Sequence, residues 1–435
     1  MATLLRLATA GSVDDGKSTL VGRLLFDSKA VLSDQLEAVA RVSRDRGLEE
    51  TDLALLTDGL RAEREQGITI DVAYRYFATA RRSFILADCP GHVQYTRNTV
   101  TGASTADVVV LLIDARKGLL EQTRRHLAVA SLLRVPHVVV AVNKIDLVDF
   151  DERVFAQVCA QVLDSATDLG LADVRTIPVS ALAGDNVVDR STRTPWYRGP
   201  SLLELLEDVP ASVDPATEAF RLPVQVVLRP QAAARDPRMQ EYRGYAGQIA
   251  AGVVTVGDRV VVLPSGRTTT VEGIDTADGE LDVAFAPQSV SLRLADDLDI
   301  ARGDLLAAAA DAPEPTQDLH GTICWLSDRL LLPGVRVLVK HTTRTVQAEV
   351  RDVVGRLDLD TATIGPAESL TLNDIGQVRL RLAAPIAAEE YVTARRTGAF
   401  LLIDVHDGAT LAAGMVGDAL GAARCRGDRP ARYAI

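Results

Sequence analysis

The chain has 435 residues, too many for one compact hydrophobic core, so two or three domains are expected. Its residues are 47% hydrophobic and 24% charged, as in an ordinary globular protein, and no apolar run is long enough to span a membrane. A net charge of −12 argues against nucleic acid as a partner through any broad surface, leaving room only for a local basic patch.

The amino terminus, "MATLLRLATAGSV", has no basic region followed by a long apolar stretch and a cleavage site, so it does not read as a secretory leader. Cys89, Cys159, Cys324 and Cys425 form no C-x-x-C pair, which argues against a disulfide framework and a zinc site and points to a reducing cytoplasm.

The stretch "LLRLATA" reads as a strand that runs into "GSVDDGKSTL". There Gly11, Gly16, Lys17 and Ser18 have the spacing of a phosphate-binding loop, and "KSTLVGRLLF" continues as a helix, the context that such a loop requires. Gly11, Ser12, Val13, Asp14, Asp15, Gly16, Lys17, Ser18 and Thr19 are therefore candidate nucleotide contacts. Backbone N–H groups at the helix start would cradle phosphates, Lys17 would reach the β- and γ-oxygens, and Ser18 would bind Mg²⁺. Two aspartates in a loop that suits phosphate pose a puzzle, because carboxylates and phosphates repel.

Further on, "EREQGITID" carries Thr69, a candidate switch threonine that binds Mg²⁺ and folds over a γ-phosphate. Nearby Arg61 and Arg64 read as a solvated charge cluster rather than as arginine fingers. The strand "SFILADC" ends in "DCPGH": Asp88 can hold the metal directly or through water, the Gly91 N–H can sense the γ-phosphate, and Cys89 and Pro90 complete the turn. His92 follows that glycine and can orient an attacking water. The strand "HVVVAVNK" ends in "NKID", where the Asp146 carboxylate can accept from N1 and the exocyclic amino group of guanine, beside Asn143 and Lys144. After "VRTIPVSA", a backbone N–H among Ser180, Ala181 and Leu182 can meet the guanine carbonyl. Alone, Asp-x-x-Gly is ordinary turn chemistry and the Ser180–Leu182 tripeptide is nearly uninformative. The order of the motifs, each at a strand end, predicts a nucleotide-binding domain that selects GTP.

Helical stretches such as "GLLEQTRRHLAVASLLRV" and "DERVFAQVCAQVLDSATDLG" alternate with these strands, which predicts a doubly wound α/β P-loop domain with a mostly parallel sheet. The alternation stops near "LLELLEDVPASVDPATEAF", and short strands with glycine turns follow. A second break is expected at "AADAPEPTQDL". The expected domains are 1–212, the α/β unit, and 213–313 and 314–435, two small antiparallel β-barrels.

On these residues the chain resembles the translation-factor class of GTPases, and within it the family of GTPase large subunits of bacterial sulfate adenylyltransferase. The stretches that carry the resemblance are "GSVDDGKSTLVGRLL", "DGLRAEREQGITIDVAYRYF", "PGHVQYTRN", "TGASTADVVVLLIDARKG", "DNVVDRSTRTPWYRGPSLLELLE", "LNDIGQVRLRL" and "RRTGAFLLIDVHDGATLAAGMV". They cover nearly the whole chain, and Val93 and Thr99 depart from the commoner residues beside the second switch.

The resemblance implies GTP hydrolysis coupled to formation of adenosine 5′-phosphosulfate and pyrophosphate from ATP and sulfate, with adenylyl transfer on a separate small catalytic subunit that binds ATP and sulfate. The sequence has no second phosphate loop, so a fused adenosine-phosphosulfate kinase is not expected. The resemblance also bears on the two aspartates. The residue at the Asp14 position can help hold a monovalent cation beside the phosphates, and Asp15 is expected to point outward as a solvated carboxylate or toward the partner. A translation factor that carries aminoacyl-tRNA remains the alternative.

Overall fold

The structure is a computed structural model that describes residues 3–29, 33–45, 53–56, 71–210, 215–231 and 240–420. The chain divides into two compact units, Met1–Ser212 with Asp358–Thr363 and Leu420–Ile435, and Val213–Leu357 with Ile364–Ala419.

The first unit is built on a six-stranded sheet: β1 (Thr3–Gly11), β2 (Ala73–Ala78), β3 (Arg82–Asp88), β4 (Val108–Asp114), β5 (His137–Asn143) and β6 (Val174–Pro178), in the order β2-β3-β1-β4-β5-β6. All neighbours are parallel except β2, which runs antiparallel to β3 at the edge. Central strands of a parallel sheet are covered on both faces and must be apolar throughout. That requirement explains "VVVLLID", in which every residue of β4 is buried.

Helices α1 (Lys17–Asp27), α2 (Ser33–Asp45), α3 (Thr96–Ala103), α4 (Glu121–Leu132), α5 (Glu152–Asp168) and α6 (Leu202–Asp208) complete the unit. α5 starts where the Asp151 side chain accepts from the Arg153 N–H at 2.7 Å. α6 starts on a reciprocal cap between Ser201 and Glu204. Among the described residues no helix is long and apolar enough to cross a membrane.

Register decides what the sheet presents at its carboxyl edge. Gly11 lies opposite Leu112 and Asp114 lies opposite Asn143, so the ends of β1, β4 and β5 line up, with Asp88 closing β3 beside them. The connections that leave these ends carry the motifs, as expected of an α/β sheet.

The strand pairs of the second unit are antiparallel, and besides two larger sheets Val253–Thr255 pairs with Val283–Phe285 as a small ribbon. One curled sheet runs through Arg221–Pro223, Leu305–Ala308, Arg259–Leu263, Arg267–Thr276, Ser289–Leu294, Gly244–Gln248 and Val226–Leu228. The other closes into a six-stranded barrel, because Arg336–His341 pairs with both Ala399–Ile403 and Arg344–Asp358. Side chains alternate in and out along Ile375–Ile386, and Trp325, Val339, Val378 and Phe400 fill the interior. Between the two sheets the buried Arg221 guanidinium donates to both oxygens of Glu389, at 3.1 and 2.8 Å. The α/β domain and the two all-β modules expected from the sequence are both present.

Candidate functional site

The loop from β1 to α1 is held from within. Gly11 (φ +145°), Asp14 (φ +66°) and Gly16 (φ +92°) have positive φ, and a Cβ on Gly16 would come within 2.4 Å of the Asn143 Nδ2. Glycine is therefore needed there for both conformation and space. The buried Lys17 ammonium donates to the Gly11 and Ser12 carbonyls, both at 2.8 Å, and burial pulls its pKa down from the ordinary lysine value. Ser18 and Thr19 stand in the first turn of α1, partly exposed, where free N–H groups and the helix dipole favour an anion. Val13 is partly exposed and Asp14 is exposed.

The expectation for Asp15 is corrected. Its side chain does not point outward: the residue is 1% exposed, and Oδ2 accepts the Ser12 N–H at 2.8 Å. Burial raises its carboxyl above the usual carboxylate range, against that hydrogen bond and the nearby Lys17 and Lys117 charges. The carboxylate is a strut of the loop.

Asp88, at the end of β3, is buried and accepts from the Thr9 hydroxyl at 2.8 Å, and the same hydroxyl accepts the Cys89 N–H at 3.2 Å. The Cys89 thiol is buried, with its pKa pushed up by desolvation, and a Cβ on Gly102 would stand 2.3 Å from its sulfur. The Pro90 carbonyl accepts from Thr99 at 3.1 Å, which gives that departure from the common residue a structural use. Gly91 packs against the phosphate loop: a Cβ there would lie 2.1 Å from the Lys17 Nζ and 2.6 Å from the Gly11 carbonyl. His92 is half-buried, its Nδ1 accepts the Gln94 N–H at 3.2 Å, and its ring centroid is 6.0 Å from that of Tyr95. Thr69, with Arg61 and Arg64, lies outside the described residues.

At the end of β5 the buried Asn143 amide is used at both ends. Nδ2 donates to the Asp15 carbonyl at 2.7 Å, and Oδ1 accepts the Ala181 N–H at 2.9 Å. Lys144, in the left-handed region (φ +60°), donates to the Asp14 carbonyl and lies 3.1 Å from Asp114. Asp146 is half-buried in the short turn Ile145–Val148. Ser180 and Ala181 are buried and Leu182 is 63% exposed, and Arg23 of α1 donates to the carbonyls of both Ala181 and Leu182.

The comparisons with known proteins agree with this geometry. Residues 2–214 match the family described as elongation factor Tu GTP binding domain, and residues 318–417 match the GTP-eEF1A C-terminal domain-like family. A Mycobacterium tuberculosis protein named bifunctional enzyme CysN/CysC is 55% identical over 96% of this chain and 67% of its own length. Proteins named sulfate adenylyltransferase subunit 1 from Cellvibrio japonicus and Teredinibacter turnerae are 49% and 50% identical, over 95% and 98% of this chain and 86% and 90% of theirs. The chain belongs to the sulfate adenylyltransferase subunit 1 family.

In this member of the family, one group at the site was missed by motif reading. Asp114, buried at the end of β4, accepts from Arg116 Nε and Nη2 at 2.9 and 2.6 Å and pairs with Lys144. Burial alone would raise its pKa, but hydrogen bonds from Arg116 and Lys144 hold the carboxyl well below the usual range. The signal in the sequence was "DARK", an acid that closes a wholly apolar strand just before two cations.

Proposed function

We propose that the chain is the GTP-hydrolysing subunit of a sulfate adenylyltransferase, which works with a separate small subunit that holds ATP and sulfate. The observation that carries this reading is the convergence of Lys17, Asp88, Gly91, Asn143 and Asp146 on neighbouring strand ends of a chain about half identical to subunit 1 relatives over nearly its whole length.

The residue roles follow from chemistry. Loop N–H groups and Lys17 would hold the phosphates, and a γ-phosphate would draw the Lys17 ammonium away from the Gly11 and Ser12 carbonyls. The hydroxyls of Ser18 and Thr69 and the Asp88 carboxylate are hard oxygen donors suited to Mg²⁺, which when bound offsets phosphate charge. Asp14 would help hold a monovalent cation. The Gly91 N–H would report the γ-phosphate. His92 accepts the Gln94 N–H at Nδ1, which leaves Nε2 as the nitrogen that would orient water by donating to it. Asp146 would select guanine, with a backbone N–H of the Ser180–Leu182 turn at the guanine carbonyl. A cytoplasmic setting fits Cys89, Cys159 and Cys324, which are buried and form no disulfide among the described residues.

Forming a sulfate–phosphate anhydride from ATP is uphill. GTP hydrolysis can advance it only if the partner binds the GTP and GDP states with different free energies. The test is to reconstitute this chain with the small subunit and measure the final yield of adenosine phosphosulfate with GTP, with a nonhydrolysable analogue and with no guanine nucleotide. GTP should raise the yield above both controls, and three equal yields would reject the coupling.

A further inference from the structure

The stretch "TPWYRGP" is unexplained by the site residues alone, although it lies close to them in the fold. Asp149 (φ +53°) and Phe150 (φ +56°) are consecutive non-glycine residues in the left-handed region, directly after the turn that carries Asp146. A bulky residue keeps that conformation only where its surroundings hold it.

The Phe150 peptide is held on both sides. Its N–H donates to the Ile145 carbonyl at 2.9 Å, and its carbonyl accepts from the Trp196 Nε1–H at 3.0 Å. Trp196 is itself fixed against Phe155 of α5, with ring centroids 5.3 Å apart. The Phe150 ring lies under the Arg193 guanidinium, 4.8 Å from its centroid. Arg193 donates to both oxygens of Asp185, at 3.0 Å through Nε, and Ser191 donates to the same carboxylate at 2.6 Å. The Asp185 carbonyl in turn accepts the Ser180 N–H at 3.2 Å. A continuous set of contacts therefore runs from the Asp146 turn through Phe150, Arg193 and Asp185 to Ser180, and joins the two loops assigned to the base.

We propose that residues 184–200 form a strap that sets the position of Asp146 against guanine, with Trp196 and Arg193 as its positioning residues. This rests on the reading of GTP as the nucleotide. Two parallel hydrogen bonds accepted by one carboxylate demand a fixed orientation, whereas a single bond survives a small rotation. The strap should therefore matter most for the second bond, the one to the exocyclic amino group.

Inosine diphosphate lacks that amino group, so it separates positioning from general stability. Affinities of the full chain for GDP and IDP are measured for the native protein, for Trp196→Phe, which keeps an aromatic ring and removes the N–H, and for Arg193→Ala, which leaves Trp196 intact. In each variant GDP should weaken about tenfold and IDP by less than about threefold, as loss of one charge-assisted hydrogen bond predicts. The GDP-to-IDP affinity ratio is the readout, because loss of the Trp196 hydrogen bond also lowers stability and would weaken both nucleotides alike if it acted through stability alone. Equal weakening of both nucleotides, or no change in either, would overturn the strap's role. A native protein that does not prefer GDP to IDP would instead overturn the guanine reading beneath it.

Discussion

The end of the site around Lys17 and Gly91 and the end around Asn143 and Asp146 are built from different materials. At the first, backbone atoms and one lysine stand in close contact, and glycine fills the tight places: Gly11 leaves 2.8 Å to the Leu112 carbonyl for a Cβ, and Gly91 leaves 2.6 Å to the Gly11 carbonyl. At the second, side chains far apart in sequence are tied by polar contacts: Asn143 to Asp15 and Ala181, Lys144 to Asp14 and Asp114, Trp196 to Phe150. The first end should fail when an atom is added. The second should fail when a polar atom is lost or its polarity is reversed.

The sharpest test adds one methyl group. In Gly91→Ala the new Cβ meets the Lys17 ammonium, which can swing away, and the Gly11 carbonyl, which belongs to the loop and cannot. GTP turnover should fall about 10³-fold, the scale for disturbing preorganised groups around developing charge. Near-native turnover in a single-turnover assay would remove the distinction between the two ends.

At the other end Asp146→Asn exchanges an acceptor for a donor without changing size. GTP should weaken about 100-fold, and xanthosine triphosphate, whose N1–H and carbonyl suit an amide, should become the preferred ligand. Competition binding reads this, and an unchanged preference for GTP would break the assignment of this end to the base.

The smallest effect concerns Asp15. Its folded carboxyl lies above the unfolded value of 3.8, so its favourable contribution to folding is complete below that pH and is lost as pH rises through the folded value. Asp15→Asn can keep the Ser12 hydrogen bond without the buried charge. It should raise the thermal midpoint by on the order of 2 °C at pH 8, a gain that vanishes below about pH 4 as the native carboxyl takes up its proton. A gain independent of pH would mean that packing, not charge, sets the difference.

Much of this was legible in the sequence for a physical reason. The strands "DVVVLLIDA" and "HVVVAVNK" are apolar because both faces are covered, and glycines mark where the chain must turn or come close, so the strand ends at Gly11, Asp88 and Asn143 could be read. What could not be read was depth. Asp15 sits between two residues of a polar loop and looks solvated, yet the structure buries it. Asn143 looked like part of a base-recognition motif, but both ends of its amide are used to join loops. Such roles depend on which distant segment arrives above a side chain, and spacing along the chain does not encode that.

The packing of Gly102 over Cys89 has a chemical consequence. A thiol reacts as its thiolate and only where a reagent can approach the sulfur. Here desolvation keeps the sulfur protonated, and a glycine surface closes over it without leaving room even for a methyl group. Shape and protonation together thus disfavour reaction of this cysteine, one residue from Asp88, and alkylation of the folded chain should leave Cys89 unmodified.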